Sequence, residues 1–183
     1  MTVDRLLRKA YNKWFRPDPL RDLTARGLVV GRNFKILPGV TIDWSHCWLV
    51  RIGDDVTLAP GVRLIAHDAS MKTHLGYARI GKIEIGDRVF IGAGSIVLPG
   101  VRIGSDTIIG AGSVVSRSIP EGVVAYGNPA RVTGTTSRWL ERKRAEMSNV
   151  PCFGEEYTMR ANITDAKRAE MNARMGVGVG YVE

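Results

Sequence analysis

The chain has 183 residues, enough to bury a core, with 26 Lys and Arg against 18 Asp and Glu and a formal net charge of +8. The basic excess favours an anionic partner, but no basic run is interleaved with aromatics as a nucleic-acid stacking surface requires, so nucleic acid is set aside. Cys47 and Cys152 lack CxxC spacing and are too few for a disulfide framework, and no apolar run approaches the roughly 18 residues of a membrane span. The expectation is a soluble, cytoplasmic protein with reduced thiols.

In chain order, residues 3–16 (VDRLLRKAYNKWFR) place Val3, Leu6, Leu7, Ala10, Tyr11, Trp14 and Phe15 at helical spacing, and Pro17 and Pro19 end that helix. An N-terminal segment over 1–27 is expected to cap the open end of the structure that follows. Its basic face, with Arg5, Arg8, Lys9 and Lys13, also suits weak peripheral contact with the inner face of an anionic membrane.

From Val30 an aliphatic residue recurs every six residues, mostly followed by a small residue. It stands at 30, 36 and 42, at 52, 58 and 64, and then at 85, 91, 97, 103, 109 and 115. A period of six is too long for strand alternation and does not match helical turns. It fits short strands joined by tight corners, with the aliphatic residue inward at each corner. Three such units per turn make a triangular prism, and twelve make about four turns of a parallel β-solenoid over 28–134. The beat fails between Leu64 and Ile85, which predicts a loop at about 68–82 thrown out from one corner. His67 stands at its root and His74 near its tip. Ile42 and Leu64 are both third units of their turns, so His46, Asp43 and Ser45 are expected near His67 on adjacent turns.

The run IGDRVFIGAGSIVLPGVRIGSDTIIGAGSVVSRSIPEGVVAYGNPARV resembles the last coils and exit strand of the hexapeptide-repeat acyltransferases, specifically their sugar O-acetyltransferase branch. That branch holds the maltose, galactoside and capsular-polysaccharide acetyltransferases. The resemblance covers about residues 28–134. It implies a mainly β fold, a left-handed parallel β-helix of about four triangular coils with an N-terminal helical cap and a C-terminal helical tail. It also implies an acetyl-CoA-dependent acetyl transfer to a sugar hydroxyl, a homotrimer with sites between subunits, and no metal. His67 matches the family's base, which removes the acceptor proton without an acyl-enzyme intermediate. Asp43, His46, Asp68 and His74 are the candidates for orienting the base or the acceptor, although corner packing or a subunit contact suits His46 better. Ala93, Ala111, Ser116, Arg117 and Arg131 match positions that meet the pantetheine and phosphates of coenzyme A. Two positions depart from the galactoside pattern: Gly39 stands near an acceptor-placing Asn, and Phe90 replaces a donor-facing Trp.

Residues 135–183 read as a helical tail, with helices at 135–147 and 164–175. Thr164 caps the second, glycines at 176, 178 and 180 stop it, and NVPCFGEEYTMR between them is packed irregular chain. Three other activities fit parts of this pattern. They are N-acetylation of an amino sugar, a zinc-dependent carbonic anhydrase-like enzyme using the three histidines, and a non-enzymatic scaffold or lectin-like binder. The three histidines at 46, 67 and 74 do not have the anhydrase ligand spacing.

Overall fold

The six-residue beat becomes strands of two or three residues that pair in parallel with the strands one coil away. The computed structural model describes residues 19–183, and the predicted helix over 3–16 lies outside them. Within the described residues the chain divides after Thr136 into two compact units.

The first unit begins with helix α1 (Pro19–Ala25). Leu23 of α1 and Leu28 just after it are buried in the core.

Three sheets follow, each taking one strand from every coil. The first holds β1 (Val29–Val30), β4 (Val50–Ile52), β9 (Ile83–Ile85) and β12 (Arg102–Ile103). In the second, β2 (Lys35–Ile36), β5 (Thr57–Leu58), β10 (Phe90–Ile91) and β13 (Ile108–Ile109) are joined by β15 (Val123–Gly127) and β16 (Ala130–Thr135). The third holds β3 (Thr41–Ile42), β6 (Arg63–Leu64), β11 (Ile96–Val97) and β14 (Val114–Val115). The result is four coils of a parallel prism. The predicted inward residues stack in register, with Ile36 on Leu58, Leu58 on Ile91 and Ile91 on Ile109 in the second sheet. From the second coil onward every one of them is buried, while Val30 and Ile36 on the first coil are less covered. The exit is a hairpin: β16 runs back antiparallel to β15 through a turn containing the cis Asn128–Pro129 bond.

The glycines after the aliphatic residues have a direct cause. A Cβ on Gly92 would stand 2.4 Å from the backbone nitrogen of Ala111 on the next coil, so the small residue is what lets neighbouring coils reach hydrogen-bonding distance. Two residues on, Gly94 turns the corner at φ +69° with open space where a side chain would go.

The predicted loop is a hairpin. Strands β7 (His67–Asp68) and β8 (Arg79–Ile80) pair antiparallel, with His67 opposite Ile80, and the one-turn helix α2 (Lys72–Leu75) closes the tip.

In the second unit, helix α3 (Thr136–Met147) and helix α4 (Asp165–Met175) match the predicted pair, and the Thr164 hydroxyl accepts from the Lys167 N–H as the expected cap. The segment read as irregular contains a strand, β17 (Cys152–Phe153), which pairs in parallel with β18 (Tyr181–Val182). Two residues give too little alternation to register in sequence. Buried Phe153 packs on Tyr157 and under the Arg174 guanidinium. No helix among the described residues is long and apolar enough to cross a membrane.

Gly92→Ala is expected to destabilise the protein by about 3 kcal/mol, because backbone must move to admit the methyl group. Gly94→Ala, strained in φ but unobstructed, is expected to cost about 1–2 kcal/mol. Urea unfolding of the two variants checks the order, and equal losses would refute the close-approach explanation.

Candidate active site

Both departures from the six-residue beat occur at the same corner of the prism on adjacent coils. Residues 43–49 follow β3, and residues 65–82 follow β6, and β3 and β6 are partners with Ile42 opposite Leu64. Register therefore carries Asp43 and Ser45 to the root of the hairpin, beside His67. The sequence expectation for this corner holds.

Asp43 is the one buried carboxylate among the described residues, with its side chain 2% exposed. Its Oδ1 accepts from the Ser45 N–H (3.1 Å), the Ser45 hydroxyl (2.8 Å) and the His46 N–H (3.2 Å). Its Oδ2 accepts from the Ala66 N–H at 3.0 Å and lies 2.5 Å from His67 Nδ1. Short polar side chains close such turns on their own backbone, and here the same carboxylate reaches across to the next coil. Burial pushes the Asp43 carboxyl towards a higher pKa, but the hydrogen bonds from His67, Ser45 and Ala66, with the attraction of His67, outweigh it and hold it below the ordinary value of 3.8.

His67 is 37% exposed at the side chain. Its contact with the carboxylate places the ring proton on Nδ1 and leaves Nε2 as the acceptor. Because the Ser45 hydroxyl is committed to Asp43, it receives the His46 Nδ1–H at 3.0 Å, and it also lies 3.3 Å from His67 Nδ1. The His46 ring packs 5.1 Å from that of His67 and 5.3 Å from that of Trp48. The acidic residue orients His67, and His46 buttresses it.

The remaining candidates sit elsewhere. Asp68 accepts from the backbone N–H of Ser70 at 2.9 Å, which closes the hairpin's own turn and holds its pKa below the ordinary value. His74 is exposed on α2. Ala93 and Ala111 stack at another corner, joined by the Gly112 N–H to the Ala93 carbonyl. Ser116 and Arg117 are exposed immediately after β14, at the corner that carries His67 but two coils further on. Arg131 is exposed on β16, its guanidinium on the Ala130 carbonyl. Trp44 and Arg63 were missed in sequence. With Asp43 and His67 they line a cavity of about 260 Å³, and nothing at an outward-facing position of a six-residue unit marks such a role.

The histidines do not form a zinc set. Among the described residues the convergent group is Asp43, His46 and His67, without His74. Asp43 already accepts five hydrogen bonds, so its lone pairs are committed to protein donors and the donor set does not fit a metal.

Residues 82–117 match the bacterial transferase hexapeptide (six repeats) family model. The chain is 39% identical over 137 residues to protein CapG of Staphylococcus aureus, covering 70% of this chain and 76% of that protein. It spans about half the length of several other curated relatives. A maltose O-acetyltransferase from Clostridium difficile 630 superposes with a TM-score of 0.51 at 30% identity, over 72% of this chain and 83% of that one. A galactoside acetyltransferase in complex with coenzyme A gives 0.54 at 28% identity, over 69% and 76%. The chain belongs to the hexapeptide-repeat acyltransferases, and its prism is their left-handed parallel β-helix.

Because the folded Asp43 carboxyl titrates below its unfolded value, its contribution to stability is complete above pH 3.8 and is lost as pH falls through the lowered value. Asp43→Asn is therefore expected to be less stable than the parent at neutral pH, with the gap closing in urea titrations as pH falls below the unfolded value of 3.8. A gap independent of pH would exclude the charged network.

Proposed function

We propose that this protein is an acetyl-CoA-dependent O-acetyltransferase acting on a sugar hydroxyl, of a small saccharide or a surface-polysaccharide precursor. The carrying observation is the buried Asp43 carboxylate on Nδ1 of a half-exposed His67 at the root of the hairpin. Relatives and neighbours named as galactoside and maltose acetyltransferases, one of them holding coenzyme A, support the donor and the substrate class.

In this reading His67 Nε2 takes the proton of the acceptor hydroxyl as its oxygen attacks the thioester carbonyl, and Asp43 stabilises the imidazolium that forms. A backbone N–H of the coil receives the tetrahedral oxyanion. Collapse breaks the C–S bond, and His67 returns the proton to the departing thiolate. In this reading the transfer is direct: the Cys47 and Cys152 thiols face backbone carbonyls, and the Ser45 hydroxyl donates to Asp43. Ala93 and Ala111 leave coil backbone open to pantetheine, while Ser116, Arg117 and Arg131 supply hydroxyl and guanidinium groups for the phosphates. A homotrimer with the acceptor held between subunits fits the flat faces of the prism.

The test is a thiol-release assay with acetyl-CoA against a panel of saccharides. His67→Ala is expected to lower kcat about 10²–10⁴-fold with the fold intact by circular dichroism, and Asp43→Asn, which disturbs the tautomer, to lower it at least about 10²-fold. Full activity in folded His67→Ala would overturn the mechanism.

A further inference from the structure

We propose that the cavity beside His67 takes a sugar carrying a negative charge, a uronic acid or a sugar phosphate, stacked on Trp44 with its anionic group on Arg63. This deepens the reading of the site as a sugar acetyltransferase and rests on it. Thr41 and Arg63 are register partners on the outer face of the third sheet, so their side chains lie next to each other on neighbouring coils. The chain then passes through Asp43 to Trp44, which is 70% exposed. All four residues and His67 border the same cavity of about 260 Å³, below the ~300–1,000 Å³ typical of drug-sized ligands and suited to one pyranose ring.

The charge balance of this cavity is one-sided. Asp43 is the acid in its lining, and its carboxylate is buried and spent on protein donors. Arg63 is exposed, and among the described residues its guanidinium has no hydrogen bond or ion pair. At a neighbouring corner Arg88 is held bidentate by Asp106, and Arg32 gives its Nε–H and an Nη–H to one oxygen of Asp54. A guanidinium left free beside an open cavity is available to a planar carboxylate or a phosphate, whose geometry its fork matches. An exposed indole supplies a rigid apolar face for the C–H face of a sugar while its N–H stays available to water or a hydroxyl. A neutral sugar would satisfy Trp44 and leave Arg63 without a counter-charge.

The experiment measures binding apart from turnover. His67→Ala, which removes the base and one wall of the cavity but leaves Trp44 and Arg63 in place, is titrated by calorimetry with methyl glucuronide, methyl glucoside 6-phosphate and methyl glucoside, which also separates carboxylate from phosphate. At least one anionic sugar is expected to bind about tenfold or more tighter than the neutral one. Adding Arg63→Gln should remove the difference, Arg63→Lys should keep part of it, and Trp44→Ala should weaken all three ligands alike. Equal binding of neutral and anionic sugars, binding of none, or a preference that survives Arg63→Gln would overturn the proposal. So would an Arg63→Gln effect confined to acetyl-CoA, which would place Arg63 on the donor. Selective binding without acetyl transfer by the parent protein would instead refute the transferase reading and leave the anion site standing.

Discussion

Two residues per face carry each coil of this protein onto the next, and the close approach of backbones at the glycines fixes that register. A strand pair such as Ile42 on Leu64 admits no slip, because a shift of one residue would turn the buried column outward. Added chain therefore has to leave the prism at a corner. Both additions do so at one corner, on adjacent coils, and the site follows from that coincidence. Its groups come from segments 22–24 residues apart in sequence, yet they meet because the coils between them are rigid.

At that corner a single charge organises the rest. An unpaired buried carboxylate would neutralise itself, since desolvation disfavours the ion. Five hydrogen bonds reverse the outcome for Asp43, three from its own turn and two from the next coil. Local donors alone would make Asp43 a turn residue. The Ala66 N–H and His67 make it a clamp between coils, so the bond that orients the imidazole also ties the loop root to the scaffold. Fold and chemistry share the same contact here, which distinguishes Asp43 from Asp54 and Asp106, whose arginine partners stand in solvent.

The prism was legible because one side-chain type repeats at one interval. All twelve repeat positions were readable, and phase alone brought His46 towards His67. What phase could not supply was orientation. Asp43, Ser45 and His46 were equivalent neighbours in sequence, and only hydrogen-bond geometry separates the residue that touches Nδ1 from the one that packs against the ring. The β17–β18 pair was hidden because two residues carry no period. Arg63 and Trp44 stayed silent for another reason: outward positions of the coil carry no period, so a residue that lines a cavity there looks like any solvated one.

The three histidines show how far the scaffold grades equivalent side chains. His67 sits on the first residue of the hairpin, where Asp43 of the adjacent coil holds its ring through Nδ1. His46 lies one coil away on a turn closed by Asp43, where its ring can steady a neighbour but its Nδ1 is committed to Ser45. His74 rides on the one-turn helix at the hairpin tip, with no buried residue to anchor it. The gradient runs with distance from the hydrogen-bonded coils. Groups whose angles are fixed stand at the root, while Trp44 and Arg63 point outward beside it, clear of the buried column that holds His67 in place.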